Sequence, residues 1–281
     1  MTSAEMEPIE TQPSSIELRD PLIVCGALRT GVRLVGALLD SNSGFASGPE
    51  LPFVVTMAHQ WRDLDATLGL NHEKHYGVSR EASREAFRVA ILKLFAPRLI
   101  EMRKPSFVLQ SFAAAISLEV FGKLFPAAKF VLMVRDPRDV ALSLLRCQWR
   151  NPRDGRPLPY TQDVQSGARF WVEFNSMIAR SVGALNAPGR LLWVRYEDLC
   201  SNPGSCLDRL AKFIDTPRLD PSIAESSAGL VAHSSDEPHP ALRVGSLDPA
   251  SVGRWRTQLA GRDIAAIESI TAPLRGKFGY G

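Results

Sequence analysis

Three short apolar runs, separated by helix-like patterns, leave few folds open to this chain of 281 residues. The runs are PLIVC at residues 21–25, KFVLMV at 129–134 and RLLWV at 190–194. Runs of this length, rich in branched residues and bounded by turns, predict buried strands. Because strands that alternate with helices favour a central parallel sheet flanked by helices, we expect an α/β fold.

Helical periodicity fills much of the chain between and after these strands. The predicted helices cover residues 31–41, 79–101, 111–126, 137–146, 165–186, 203–215 and 261–274. Segments 42–52 and 216–252 are rich in Gly, Ser and Pro, which indicates loops. The ordered pattern begins near Leu18, so we expect a flexible tail at 1–17 and a single domain at 18–281.

Charge and cysteine usage narrow the possible function classes. The 33 basic and 30 acidic residues give a net charge of +3, which lends no support to a nucleic-acid partner. The four cysteines, which form no CxxC pair, indicate a reducing compartment. No apolar run is long enough for a membrane span, and the polar N-terminus does not resemble a signal peptide. We therefore expect a cytoplasmic protein without membrane contact.

The first candidate site is the sequence GALRTG at residues 26–31, here called the first loop. It lies between a predicted strand and a predicted helix, and it carries Arg29 between two glycines. A turn of this kind suits an anion, because backbone N–H groups point outward at a helix N-terminus. The loop lacks the Gly-Lys-Ser/Thr ending of a nucleotide-triphosphate loop, which argues against a kinase or NTPase.

The second candidate site is the sequence VRDPRDVALS at residues 134–143. Arg135 leaves the end of a predicted strand, Asp136 is placed to cap the next helix, and Ser143 lies two turns into it. A guanidinium fork suits phosphate. Ligands of α/β sheets bind beyond the carboxyl ends of the strands, where both sites lie. The sequence therefore predicts one pocket for a ligand with two separate anionic groups.

Four segments together resemble the sulfotransferases that use 3′-phosphoadenosine 5′-phosphosulfate (PAPS). RDPRDVALS resembles their 3′-phosphate-binding segment, and GALRTGVRL at 26–34 stands where they have a 5′-phosphosulfate loop. VRYEDL at 194–199 is similar to a recurrent strand-end segment, and SVGRWRTQL at 251–259 resembles the late region that closes over the nucleotide. The resemblance implies a P-loop-like sulfotransferase fold, PAPS as donor, adenosine 3′,5′-bisphosphate (PAP) as product, and no metal.

The resemblance also assigns nucleotide-binding roles residue by residue. It implies that the first loop surrounds the 5′-phosphosulfate and that Arg29 neutralises charge as the sulfuryl group leaves. It places the 3′-phosphate on Arg135 and Ser143, and the adenine near Tyr196 and Trp255. The implied nucleotide-binding residues are Gly26, Arg29, Thr30, Gly31, Val32, Arg33, Arg135, Ser143, Tyr196, Arg254 and Trp255.

The first loop departs from the family pattern at several positions. Leu28 replaces the usual proline, and Thr30 replaces a serine while keeping the hydroxyl. Val32 and Arg33 replace a pair of threonines, and Val32 has no side-chain donor for phosphate. These changes keep an alternative open, namely a sulfotransferase-like protein that binds PAP or PAPS but is catalytically impaired.

Transfer to a hydroxyl or an amine also needs a general base. In one large branch of the family the base is a glutamate after the first helix, and Glu50 stands in that place. His59 is a second candidate base. The cytosolic branch uses a histidine that has no counterpart in MRKPS at 102–106, where the resemblance places Arg103 or Lys104 near the leaving phosphate.

The acceptor is left open by the sequence. We expect a small molecule or a carrier-bound intermediate, recognised by segments 44–80 and 216–252. The oligomeric state is not specified by any pattern in the chain.

Overall fold

The computed structural model describes residues 17–42, 44–217, 219 and 249–281. The expected tail at 1–17 lies almost wholly outside the described residues. Most of the expected loop at 216–252 lies outside them as well. The description below therefore concerns the sheet, its helices and the loops that connect them.

A five-stranded parallel sheet, in the order β2-β3-β1-β4-β5, forms the centre of the fold. Its strands are β1 (Leu22–Gly26), β2 (Phe45–Ala46), β3 (Ser106–Gln110), β4 (Lys129–Val134) and β5 (Leu191–Arg195). All neighbouring strands are parallel, so their carboxyl ends lie at one edge, here called the carboxyl edge. This arrangement confirms the expected α/β fold with a central parallel sheet.

Helices connect the strands and pack on both faces of the sheet. They are α1 (Val32–Asn42), α2 (Pro52–Tyr76), α3 (Arg80–Met102), α4 (Leu118–Leu124), α5 (Pro137–Cys147), α6 (Val164–Leu185), α7 (Tyr196–Ser201), α8 (Pro203–Phe213), α9 (Trp255–Gln258) and α10 (Gly261–Arg275). Side chains alternate along β1: Ile23 and Cys25 join the cluster with α2, α3, α4 and α6, whereas Leu22 and Val24 join the one with α1 and α8. The core therefore has one apolar layer on each side of the sheet.

Four elements differ from the sequence-based expectations. Strands β2 and β3 were not predicted, and segment 44–80, expected as loops, is mostly the long helix α2. The helix expected at 111–126 is divided at Ser117, whose φ of −135° separates a 3-10 turn from α4. The added strand β3 matters for the site, because it fixes which residues stand at which edge of the sheet.

Candidate active site

The first loop is shaped by its backbone at the carboxyl end of β1. A Cβ atom on Gly26 would lie 2.4 Å from the carbonyl oxygen of Met133, so a side chain there would collide with β4. Arg29 (φ 67°) and Gly31 (φ 95°) are both in the left-handed region. The loop therefore turns tightly against β4 before α1 begins.

Two side chains where the first loop joins α1 pack inward, namely Thr30 and Val32. The Thr30 hydroxyl is fully buried and donates to the Ala27 carbonyl oxygen at 2.7 Å. Val32 begins α1 and packs against the core cluster on that face of the sheet. Thr30 thus closes the loop from inside, and contacts of Thr30, Val32 or Arg33 with a phosphosulfate stay predictions.

Replacement of Gly31 by alanine is expected to destabilise the protein by about 1–3 kcal/mol, the usual cost of a strained backbone. The added Cβ would lie 2.7 Å from Cδ2 of Tyr196, and the φ of Gly31 disfavours any side chain. Thermal unfolding measures the change. Gly183→Ala is the control, because Gly183 lies in a helix with open space around it. Equal melting temperatures for Gly31→Ala and the parent would contradict the prediction.

Arg29 contacts the second site through its side chain and its backbone. Its Nε donates to Oγ of Ser143 at 3.0 Å. Its carbonyl oxygen accepts from Nη1 of Arg135 at 3.2 Å. Strands β1 and β4 are neighbours in the sheet, so the residues that follow them meet at the carboxyl edge. The structure thus brings Arg29, Arg135 and Ser143 together.

Three guanidinium groups share this place at the carboxyl edge. Burial lowers the pKa of Arg29, and repulsion from Arg135 and Arg254 lowers it further. The Nε atoms of Arg135 and Arg254 are buried, and neither has a hydrogen-bond acceptor within the described part of the chain. Buried donors normally have acceptors, and concentrated positive charge attracts anions. A phosphate-bearing nucleotide fits both properties of the cluster.

The Tyr196 ring packs against the guanidinium of Arg135. The guanidinium carbon of Arg135 lies 4.0 Å from the centre of the Tyr196 ring, a cation–π contact. The Tyr196 hydroxyl shares a hydrogen bond of 2.7 Å with Oγ of Ser251. The ring is buried by these contacts, so the structure shows it orienting Arg135. The expected contact between Tyr196 and an adenine stays a prediction.

Trp255 packs between charged side chains of the described residues. The guanidinium carbons of Arg138 and Arg256 lie 4.0 Å and 4.4 Å from its ring centre. Arg138 is itself held by Asp136 and Glu268 through ion pairs of 2.8 Å and 2.7 Å. Both guanidinium groups lie against the Trp255 ring, and the expected contact between this ring and an adenine stays a prediction.

Glu50 lies at the carboxyl edge, close to the end of β3. Its Oε1 accepts from Oγ of Ser111 at 2.9 Å and from the backbone N–H of Phe112 at 3.2 Å. Ser111 follows β3 directly, and its N–H donates to the carbonyl oxygen of Val24 in β1. These bonds hold the carboxylate on the same edge of the sheet as Arg29.

His59, the second candidate base, lies two turns into α2. Its Nε2 is 2.8 Å from Oγ of Ser117, the residue that precedes α4. Burial lowers the pKa of His59, and Arg62 adds to that effect, which favours the neutral imidazole. A neutral imidazole suits a base, but this one already has a partner in the protein.

Arg103 and Lys104 do not lie at the site, which corrects the expectation that one of them stabilises the leaving phosphate. Both residues precede β3, whereas Arg29 follows β1. Because β1 and β3 are parallel, Arg103 and Lys104 lie at the edge of the sheet opposite Arg29. Lys104 Nζ donates to the carbonyl oxygens of Asp40 and Phe45. Lys104 therefore joins α1 to β2, and Arg103 is an exposed residue that ends α3.

Other features of the described residues bear on cofactors and location. No group of three or more His, Cys, Asp and Glu side chains in ranges 17–42, 44–217 and 249–281 is arranged to hold a metal ion. None of the helices described above has a stretch long and apolar enough to cross a membrane. All four cysteines are buried free thiols.

Comparison with known proteins identifies relatives of the whole arrangement. A putative protein-tyrosine sulfotransferase of Caenorhabditis briggsae is 29% identical over 208 residues, which cover 69% of this chain and 65% of that protein. Protein-tyrosine sulfotransferase A of Caenorhabditis elegans is 25% identical over 92% of this chain and 67% of its own length. The chain thus spans about two thirds of the length of these relatives.

A solved structure and a family model extend the comparison. The sulfotransferase domain of the Synechococcus PCC 7002 olefin synthase aligns with a TM-score of 0.60 and 22% identity, over 96% of this chain and 98% of that domain. This match confirms the expected sulfotransferase fold. The model of the sulfotransferase family matches residues 21–221, a span that includes the first loop, the second candidate site and Glu50. The chain therefore belongs to the sulfotransferase family.

Proposed function

We propose that this protein transfers the sulfuryl group of PAPS to a hydroxyl or an amine. The cluster of Arg29, Arg135 and Arg254 carries the proposal, because it concentrates positive charge and because the buried Nε donors of Arg135 and Arg254 lack acceptors in the described residues. The resemblance of residues 26–34 and 135–143 to the nucleotide-binding segments of sulfotransferases supports the same site. Family membership supports the reaction type, and the contacts of this chain support the binding mode.

The proposed reaction is a single in-line displacement. The acceptor oxygen or nitrogen attacks sulfur, the bond between sulfur and the phosphate oxygen breaks, and PAP leaves with the electron pair. The acceptor proton passes to Glu50. Arg29 neutralises charge on the departing phosphate oxygen, while Arg135 and Ser143 hold the 3′-phosphate. Transfers of this kind depend mostly on positioning and electrostatics, as phosphoryl transfers do.

The surroundings of Glu50 favour an acceptor with an apolar group. Phe53, Phe112 and Ile116 are 43%, 37% and 40% exposed, although large apolar side chains are usually buried. Phe112 donates its N–H to Glu50, Phe53 follows Glu50 by three residues in the chain, and Ile116 follows Phe112 by four. Such a surface suits a phenol or another apolar alcohol. The named relatives act on protein tyrosines, and a small-molecule or carrier-bound acceptor is equally compatible with this surface.

Replacement of Arg135 by alanine is expected to weaken PAP binding at least about ten-fold, or 1.4 kcal/mol. A hydrogen bond to a charged group contributes about 1.5–3 kcal/mol, and Arg135 can make more than one with a phosphate. Calorimetric titration with PAP measures the affinity. If the parent protein does not bind PAP, the proposed function is wrong.

Arg190→Ala is the matched control for Arg135→Ala. Arg190 also bonds backbone carbonyl groups and lies against an aromatic ring, 5.5 Å from the centre of Phe130. It stands before β5, at the edge of the sheet opposite the site. We expect this variant to lose stability without losing PAP affinity. Equal losses of affinity in both variants would contradict a specific role for Arg135.

The contacts of Thr30 and Val32 favour a second function, namely a sulfotransferase-like protein that binds PAP or PAPS but is catalytically impaired. The Thr30 hydroxyl already donates to Ala27, and Val32, partly buried against the core, has no hydroxyl, so neither side chain has a hydroxyl hydrogen to donate to a phosphosulfate. A protein with this loop can bind PAP through Arg135 and still transfer slowly. Tight PAP binding without detectable transfer to any acceptor would favour this alternative. A cytoplasmic location stays a prediction under either function.

A further inference from the structure

The segment from Ser251 to Trp255, here called the late segment, is fixed to the site by three side chains. Nη2 of Arg135 donates to the Ser251 carbonyl oxygen at 2.7 Å. The Tyr196 hydroxyl and Oγ of Ser251 share a bond of the same length. The third side chain is that of Asp139 on α5. This residue has no assigned role in nucleotide binding or in the proposed reaction.

Asp139 contacts the late segment with both of its carboxylate oxygens. Oδ2 accepts from the N–H of Gly253 at 2.7 Å, and Oδ1 accepts from the N–H of Trp255 at 3.1 Å. The side chain is almost completely buried, with 1% of the residue exposed. Burying a carboxylate is costly unless it is hydrogen-bonded, so these two bonds account for its position.

The two N–H groups that Asp139 holds belong to the residues on either side of Arg254. A single carboxylate therefore fixes the backbone from which the Arg254 guanidinium extends. That guanidinium is close enough to Arg29 to lower the pKa of Arg29. Asp139 also precedes Ser143 by one turn of α5, so the late segment and Ser143 are placed by the same helix.

We propose that Asp139 is a positioning residue for nucleotide binding, because it sets where Arg254 enters the cluster with Arg29 and Arg135. This inference rests on the proposed function. Arg135 contacts the late segment through a group that the nucleotide would also use. Asp139 is different. In the described residues its carboxylate oxygens accept only from backbone N–H groups of the late segment, so a phosphate would not compete for these bonds.

The test is calorimetric titration of PAP into Asp139→Asn. The asparagine is nearly isosteric but turns an NH₂ group toward one of the two N–H donors. We expect PAP to bind about ten-fold more weakly, or 1.4 kcal/mol. With an active acceptor, KM for PAPS should rise by a similar factor while kcat changes less, because Arg29 and Glu50 are untouched.

Asp20→Asn is the matched control. The Asp20 side chain is 4% exposed, accepts from the N–H of Ala127 and from Arg88, and precedes β1 at the opposite edge of the sheet. It should lose stability and keep its PAP affinity. Equal loss of affinity in both variants, or unchanged affinity in Asp139→Asn, would overturn the inference. Failure of the parent to bind PAP would instead overturn the proposed function.

A double-mutant cycle tests whether Asp139 acts through Arg254. In an Arg254→Ala background, Asp139→Asn should weaken PAP binding by less than about two-fold, because the positioned group is already gone. The same ten-fold loss in both backgrounds would overturn the route through Arg254. If Asp139→Asn does not fold, Arg254→Ala alone decides, since normal PAP affinity in that variant would leave Asp139 nothing to position.

Discussion

Replacement of Arg29 by alanine is expected to lower kcat about 10²–10³-fold, the usual effect of removing one group that stabilises transition-state charge. Arg29 lies three residues after β1, its Nε donates to Ser143, and its backbone carbonyl accepts from Arg135, so both its side chain and its backbone are held at the site. Charge develops on the phosphate oxygen only as the bond to sulfur breaks. The affinity for PAPS, in which that bond is intact, should therefore change much less than kcat.

The measurement is transfer of labelled sulfuryl from PAPS to the best acceptor in a panel of phenols, alcohols and tyrosine peptides. Arg29→Lys is the companion variant, because it keeps one charge but loses the planar fork and the bond from Nε to Ser143. We expect it to recover part of the lost rate. An unchanged kcat in Arg29→Ala would remove Arg29 from the chemistry.

Replacement of Glu50 by glutamine is expected to lower kcat by about 10² to 10⁴, the range associated with a general base. Glutamine keeps the acceptor oxygen for Ser111 and Phe112, so the local structure should persist. It cannot take a proton from the acceptor. PAP affinity should be unaffected, because Glu50 is not assigned to the nucleotide.

Two further variants separate Glu50 from other acids and bases. Glu101→Gln is the control, since Glu101 is an exposed acid at the end of α3 that pairs with Arg98 on the same helix. His59→Gln tests the other candidate base. If His59→Gln abolishes transfer while Glu50→Gln retains it, the assignment of the base must be reversed.

The strands and helices that match the sequence-based expectations are those with strong local signals. β4 begins and ends as predicted, and α6 and α10 are displaced by one residue at most. β4 is buried on both faces, and α6 has buried residues from Val164 to Ser181, so the apolar pattern is clear in both. In α2, the buried apolar residues of the described part lie in its first half, up to Trp61. α2 was missed because its second half, residues 62–76, is rich in charged residues, which weakens the helical pattern.

The missed strand β3 also explains the wrong placement of Lys104. A run of five residues such as SFVLQ cannot be assigned to strand or helix by periodicity alone. Without that strand, the edge of the sheet at which MRKPS lies cannot be assigned. The prediction for Lys104 then rested only on the spacing of motifs in the family. With β3 paired to β1, any residue before Ser106 stands opposite Arg29.

The contact between Arg29 and the second site was within reach of the sequence, whereas the role of Asp139 was not. Two buried parallel strands are each followed within three residues by an arginine, which places both arginines at one edge of the sheet. Asp139 lies in the same predicted helix as Ser143, but its partners are backbone groups more than 100 residues away. No local pattern encodes the position of a backbone N–H in a distant segment.

The left-handed backbone of Arg29 implies a compromise between stability and activity at this position. A residue with a Cβ atom is disfavoured at a φ of 67°, where glycine sits at no steric cost. Glycine would relax the turn and remove the guanidinium that joins the first loop to Ser143. The rest of the fold therefore offsets about 1–3 kcal/mol of local strain to keep a permanent charge there. Variants selected only for resistance to heat would be expected to lose this arginine first.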